Sequence, residues 1–165
     1  MRVKTFMTFS SLSDEYRKFI SIITISLCLA IGYSLFIRIL IPATHSVHPV
    51  ILFRTGEVAT QQNQYVIFFR KDDYLPNGQS HLIKRLGCMS GQNLSKNGLR
   101  FYCDGKEIAL AQLLDSKGRD LPKFTYSGPI PPGKVFVVGD TLNSYDSRYW
   151  GFISLSDTER LATVF

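Results

Sequence analysis

From Phe19 to Ile37 the chain carries no charged residue, and after Arg38 the apolar run resumes through Ile39-Leu40-Ile41 to Pro42. A helix needs about 20 consecutive apolar residues to cross a hydrocarbon core. This stretch supplies them, with Arg38 placed to extend its charged head toward the interface. Ser21, Thr24, Ser26, Gly32 and Ser34 dilute the run without breaking it, because small and hydroxylated residues are admitted in membrane helices. Reading 19–41 as an anchor leaves a tail, 1–18, and one further domain, 42–165. The tail sets Arg2, Lys4, Arg17 and Lys18 against Asp14 and Glu15. The positive-inside bias therefore keeps it cytoplasmic and exports the rest, although Arg38 and Arg54 soften that bias. A cleaved signal peptide is the competing reading. Its apolar core would run to about 7–15 residues, and Ile41 stands where a cleavage site wants a small side chain, so the expectation is an uncleaved anchor in contact with membrane lipid.

The remaining residues of this 165-residue chain suffice for one modest domain. With 45% hydrophobic and 19% charged residues it is neither disordered nor of low complexity. The net charge of +6 comes from scattered positives that form no basic run, so no nucleic-acid partner is expected, and a solvated basic surface or one facing anionic lipid fits better. Cys28 falls in the apolar run, leaving Cys88 and Cys103 to the domain. In an oxidising compartment these two form a disulfide; two buried free thiols are the alternative. Their contexts, Leu86-Gly87-Cys88 and Phe101-Tyr102-Cys103, read as ends of adjacent strands. Neither belongs to a Cys-x-x-Cys pair, so neither metal nor cofactor is expected.

The domain reads as mainly β. Apolar, β-branched and aromatic runs recur between turn residues at Pro49–Phe53, Tyr65–Phe69, His81–Cys88, Leu99–Cys103, Val135–Val138 and Tyr149–Ile153. Asp104-Gly105 is the pair of a two-residue hairpin turn. Ile108–Leu114 alone reads as helical, and Gly128-Pro129-Ile130-Pro131-Pro132-Gly133 reads as a loop, since proline cannot enter a sheet interior.

Two residues suggest chemistry. Strand alternation places Leu82, Lys84 and Leu86 on one face. A lysine desolvated between leucines has a lowered pKa and becomes a general base; an edge lysine guarding against aggregation is the plainer reading. Ser46 follows the anchor in Ala43-Thr44-His45-Ser46-Val47-His48-Pro49, a loop near the headgroups. His45 and His48 are too close in sequence to be presumed its base, and with His81 they form no recognisable metal motif. In Gly139–Phe152 an Asp146/Arg148 pair and the chain's lone tryptophan read as a tight turn stapled before an aromatic strand.

Taken in order, these segments resemble the type I signal peptidases, above all the small TraF-type peptidases of conjugative transfer. The resemblance rests on Ser46-Val47-His48-Pro49-Val50, Gln64–Phe68, Lys84-Arg85-Leu86-Gly87 and Gly139–Phe152, and spans about 42–155. It implies a signal-peptidase-like β domain on a single N-terminal transmembrane helix in a bacterial inner membrane, with the catalytic domain in the periplasm. By the same resemblance Ser46 is the nucleophile and Lys84 its general base. Thr44 and the Ser46 N–H hold the oxyanion, Ser144 orients the lysine, and Asp146 with Arg148 braces the site. The implied substrate is an exported, pilin-like precursor, with conjugation machinery as a further partner and cyclisation of the product as a further step in some relatives. Val47 and Val50 depart from the family's methionine and threonine, and Cys88–Gln92 from its Leu-Pro-Gly-Asp-like turn. That altered turn favours the alternative reading, a noncatalytic membrane-anchored component of a conjugation or secretion apparatus.

Overall fold

The computed structural model describes residues 13–163. Most of the expected cytoplasmic tail, with Arg2 and Lys4, lies outside the described residues. The chain forms two compact units, one ending at Arg38 and the other beginning at Ile39.

The first unit is built on helix α1 (Asp14–Phe36), 23 residues with a mean hydropathy of 2.2. At about 1.5 Å per residue it is roughly 34 Å long, enough to cross a bilayer core of about 30 Å. Asp14 and Glu15 lie in its first turn, where carboxylates oppose the positive helix end. The Ser21 and Thr24 hydroxyls donate to the carbonyls of Arg17 and Ile20, each at 2.9 Å, so these two polar groups have partners within the helix. The helix begins before the expected 19–41 segment and stops short of its end. Ile39-Leu40 is instead a strand, because pairing there satisfies its backbone against a neighbour.

The second unit is mainly β. Its strands are β1 (Ile39–Leu40), β2 (Leu52–Arg54), β3 (Tyr65–Lys71), β4 (Gln79–Cys88), β5 (Asn93–Asn97), β6 (Arg100–Cys103), β7 (Lys106–Leu110), β8 (Gly128–Pro129), β9 (Lys134–Val138), β10 (Ile153–Ser154) and β11 (Glu159–Thr163). A seven-stranded sheet runs β1-β2-β11-β3-β4-β9-β10, and a four-stranded one β7-β6-β5-β8. Strand β9 is covered on both faces, which explains its unbroken Val-Phe-Val-Val. Phe136 and Val138 join Leu94, Phe101 and Ile130 of the small-sheet region, while Val135 and Val137 join Val66, Phe68 and Leu86. Cys88 ends β4 and Cys103 ends β6, and they are disulfide-bonded with Cα atoms 5.6 Å apart. The two cysteines therefore belong to different sheets rather than to adjacent strands, and the bond ties the Lys84 strand to the small sheet.

Three local expectations are corrected. Ile108–Leu114 is not helical: its first part is the end of β7, where hydrogen bonds to β6 override a weak helical pattern. Tyr149–Ile153 is not a strand but the end of helix α2 (Ser147–Trp150), one turn capped by the Asp146 carboxylate, followed by β10. Gly128-Pro129 does enter a sheet, at the edge beside β5, where proline's missing N–H costs nothing. The Asp104-Gly105 hairpin turn has both residues at positive φ, 48° and 80°, as a two-residue turn of this kind requires.

Candidate active site

Lys84 lies mid-strand in β4, in register with Val66 of β3, and is 3% exposed. Leu86 on the same face is fully buried. Its ammonium nitrogen lies 3.1 Å from Ser46 Oγ and 2.9 Å from Ser144 Oγ, and donates to both. Neither partner carries charge. Burial lowers the Lys84 pKa from its usual 10.5 to about 8; Asp146 pulls the other way and Arg148 reinforces the fall.

Ser46 sits on the turn between β1 and β2, held from below by buried Val47. Asp140 N–H donates to the Ser46 carbonyl (2.8 Å), and the Asp140 carboxylate accepts from the His48 N–H (3.0 Å). The same carboxylate accepts from Tyr65 Oη (2.6 Å) on β3 and from Arg85 Nε (2.8 Å) on β4. Burial works to raise the Asp140 pKa, but these donors outweigh it and hold the group below the ordinary carboxylate range. One carboxylate thus fastens the Ser46 loop to the two strands beside Lys84. Sequence reading gave Asp140 no role; the only signal was its place at the head of the Gly139–Phe152 segment. Tyr65 and Arg85 lay within the segments that carry the family resemblance but were given no role of their own, because those roles depend on contacts across the sheet.

Thr44, exposed, donates through its hydroxyl to Ser46 Oγ at 3.2 Å. Ser144 is 2% exposed. Behind it Asp146 and Arg148 are almost fully buried, and their ion pair closes through two contacts of 2.7 Å, from Arg148 Nε and NH2 to the two carboxylate oxygens. Arg148 also donates to the carbonyls of Leu110 (2.6 Å) and Ser144 (2.7 Å), and Asp146 accepts from the Gly139 N–H (2.7 Å). Gly139 is a point of close approach. A Cβ there would fall 2.0 Å from Ser144 Oγ and 2.8 Å from the Ser46 carbonyl oxygen.

The structure therefore brings together Ser46, Lys84, Thr44 and Ser144, with Asp146 and Arg148 beneath them. It does not bring His45, His48 and His81 into a cluster: among the described residues no group of three or more His, Cys, Asp or Glu could hold a metal. The Ser46–Lys84 pair opens into a cleft of about 680 Å³, walled by the 42–46 segment and by Ser80–Lys84 of β4. A buried amine of lowered pKa touching a hydroxyl in an open cleft has the parts for proton removal from that hydroxyl and attack on an acyl group.

Among known proteins, one solved structure similar to this chain is a signal peptidase I from Enterococcus faecalis V583. It is 22% identical, with a TM-score of 0.41, and the match covers 64% of this chain and 97% of that one. No curated protein matches. The model of the signal peptidase family, peptidase S26, matches residues 16–164. The chain belongs to that family, whose members are serine peptidases acting on exported precursor proteins.

Proposed function

We propose that this chain is a membrane-anchored endopeptidase that uses Ser46 as nucleophile and Lys84 as general base. The observation that carries the reading is the nearly buried Lys84 ammonium, 3.1 Å from Ser46 Oγ, whose pKa burial lowers to about 8. In its neutral form Lys84 takes the Ser46 hydroxyl proton as Oγ bonds to the scissile carbonyl carbon. The carbonyl π pair moves onto oxygen, where the Ser46 N–H and the Thr44 hydroxyl receive it. Each such donor is typically worth about 10²–10³ in rate. Collapse expels the amine of the mature protein, which leaves with the proton carried by Lys84. The ester on Ser46 is then attacked by a water that Lys84 deprotonates, returning the free serine and the cleaved leader. Ser144 holds the Lys84 nitrogen in line between the two steps.

The anchor would be α1, with the β domain on the outer, periplasmic side of a bacterial inner membrane. The expected division into a tail of 1–18, an anchor of 19–41 and a domain of 42–165 would shift accordingly, with β1 at Ile39–Leu40 joining the catalytic domain. The substrate class is an exported precursor with small side chains just before the cut, and the TraF-type resemblance makes a conjugative pilin the first candidate. Co-expression of this chain with the pilin precursor of its own transfer system tests all of this, the precursor's mass being followed with Ser46→Ala and Lys84→Ala in parallel. Processing by the native chain and by neither variant is expected. Processing that survives both substitutions overturns the dyad.

A further inference from the structure

A second cavity, of about 470 Å³, opens directly behind Ser144. It shares seven lining residues with the Ser46–Lys84 cleft, Ser144 and Tyr145 among them, so the two are continuous. Its back is a stack of three tyrosines. Tyr74 and Tyr145 lie 5.3 Å apart and 27° from parallel, and Tyr145 and Tyr149 lie 5.6 Å apart and 13° from parallel. Every hydroxyl of the stack is engaged: Tyr74 donates to the Asp120 carbonyl (2.6 Å), Tyr145 donates to Asp72 (2.9 Å), and Tyr149 accepts from the Gln112 N–H (3.0 Å). The rings are therefore fixed before anything binds, so an occupant meets no ordering cost there.

The chemistry of the walls narrows the occupant. Guanidinium groups close both ends of the stack, Arg119 over Tyr74 at 4.8 Å and Arg148 over Tyr149 at 5.5 Å. With the ring faces engaged in the stack, the tyrosines meet the cavity through their electropositive edges. Arg119 adds positive charge, and the Lys117 ammonium stands exposed at the rim. Asp115 pairs with Arg119 at 2.7 Å, which offsets most of that charge, and it also accepts from the Lys117 and Arg119 N–H groups. Asp73, exposed, is the other carboxylate on the rim. Buried Leu121, with Leu75, supplies apolar surface. Ring edges and cations both favour the electron-rich face of an aromatic ring.

We infer that this cavity is a substrate subsite that receives an aromatic side chain of the precursor, at a position away from the small residues at the cut. The inference rests on the proposed reading of the Ser46–Lys84 cleft as the peptide site. It also gives the enzyme a source of selectivity that small pockets lack, since a methylene in such a pocket discriminates only about 10- to 200-fold.

The test uses the full chain in phospholipid vesicles and a set of quenched fluorescent peptides. Each peptide has alanine at the first and third positions before the cut, and a single tryptophan walks through the remaining positions of an otherwise Gly/Ser sequence. One register is expected to raise kcat/KM about tenfold over the tryptophan-free peptide. Gln112→Trp, which fills the cavity, is expected to erase that gain while leaving the tryptophan-free peptide unaffected. Lys117→Glu, an exposed change that does not threaten folding, is expected to reduce the gain severalfold. In parallel, Ser46→Ala reports binding without cleavage, by anisotropy of the same peptides. If the native chain cleaves but no register gains in rate or in binding, the subsite is overturned and the peptidase stands. If no peptide is cleaved yet one register binds Ser46→Ala more tightly, the peptidase reading falls and the cavity stands as an aromatic-binding site in a peptide cleft.

Discussion

The turn over residues 139–148 and the β4 segment around Lys84 each bury a cation, and they do so on opposite terms. Arg148 meets a carboxylate through two nitrogens and several backbone carbonyls besides, so its charge is matched group by group. Lys84, one strand away, meets two hydroxyls and no carboxylate. Burying a charge is expensive unless it is paired and hydrogen-bonded. The first cation remains charged and organises the turn, whereas the second is left able to shed its proton in the working pH range. The difference lies in the intrinsic basicity of the two groups and in what each is given to bond rather than in depth, for both are almost wholly buried.

The comparison breaks most visibly if the two cations are made alike. Lys84→Arg puts a group that cannot deprotonate in the base position, and precursor cleavage is expected to fall about 10³-fold or more; cleavage within tenfold of native would show that no deprotonation is needed. Removing the matched cation should instead cost stability. Arg148→Met strands the Asp146 carboxylate in the interior and is expected to destabilise the β domain by about 3–5 kcal/mol in urea unfolding. Since Arg148 helps to hold the Lys84 pKa down, any residual activity should also need a higher pH.

Lys84→Met should do the reverse, abolishing activity while stabilising the fold. A lysine held at about 8 rather than 10.5 carries a burial cost on the order of 3 kcal/mol at about 1.4 kcal/mol per unit. After the lost bonds to Ser46 and Ser144, roughly 2 kcal/mol of gain should remain. The sign follows from proton counting. Between the folded value near 8 and the unfolded value near 10.5 the unfolded chain binds more protons, so native stability rises with pH across that window and the penalty is complete below it. The Lys84→Met gain should accordingly be largest below pH 8 and shrink above. The gentlest test leaves the protein unaltered: kcat/KM should climb about tenfold per pH unit up to an inflection near 8 and then level, and a flat profile would refute a lysine base.

Much of this was legible in the chain before it was folded. The runs at Tyr65–Phe69, His81–Cys88 and Val135–Val138 are dense in β-branched and aromatic residues and became β3, β4 and β9, the strands around Lys84. The Leu82-Lys84-Leu86 alternation raised desolvation of the lysine beside the plainer reading of an edge lysine, and the structure buries it. Ser46 was a loop serine like any other until the resemblance singled it out. The strands that sequence reading missed are polar or short. Asn93–Asn97 and Glu159–Thr163 have no apolar rhythm of their own; the first is a strand because the next strand, β6, and the distant β8 pair with it, the second because β2 and β3 far along the chain do. Asp140 was unreadable for the same reason, since its partners lie at residues 48, 65 and 85. Local chemistry shows in local sequence; convergence does not.

Gly139 carries this one step further, for what converges there is backbone and side chain around an atom that is not present. Ser144 and the Ser46 carbonyl occupy space that any other residue at 139 would fill. The back of the site is therefore closed to elaboration, because even the smallest addition would push the serines apart. A lineage adapting this enzyme to a new precursor has freedom only toward the open cleft and the tyrosine-backed cavity beside it. On the proposed reading, the rear wall is held constant and variety can accumulate on the side that opens to the cleft.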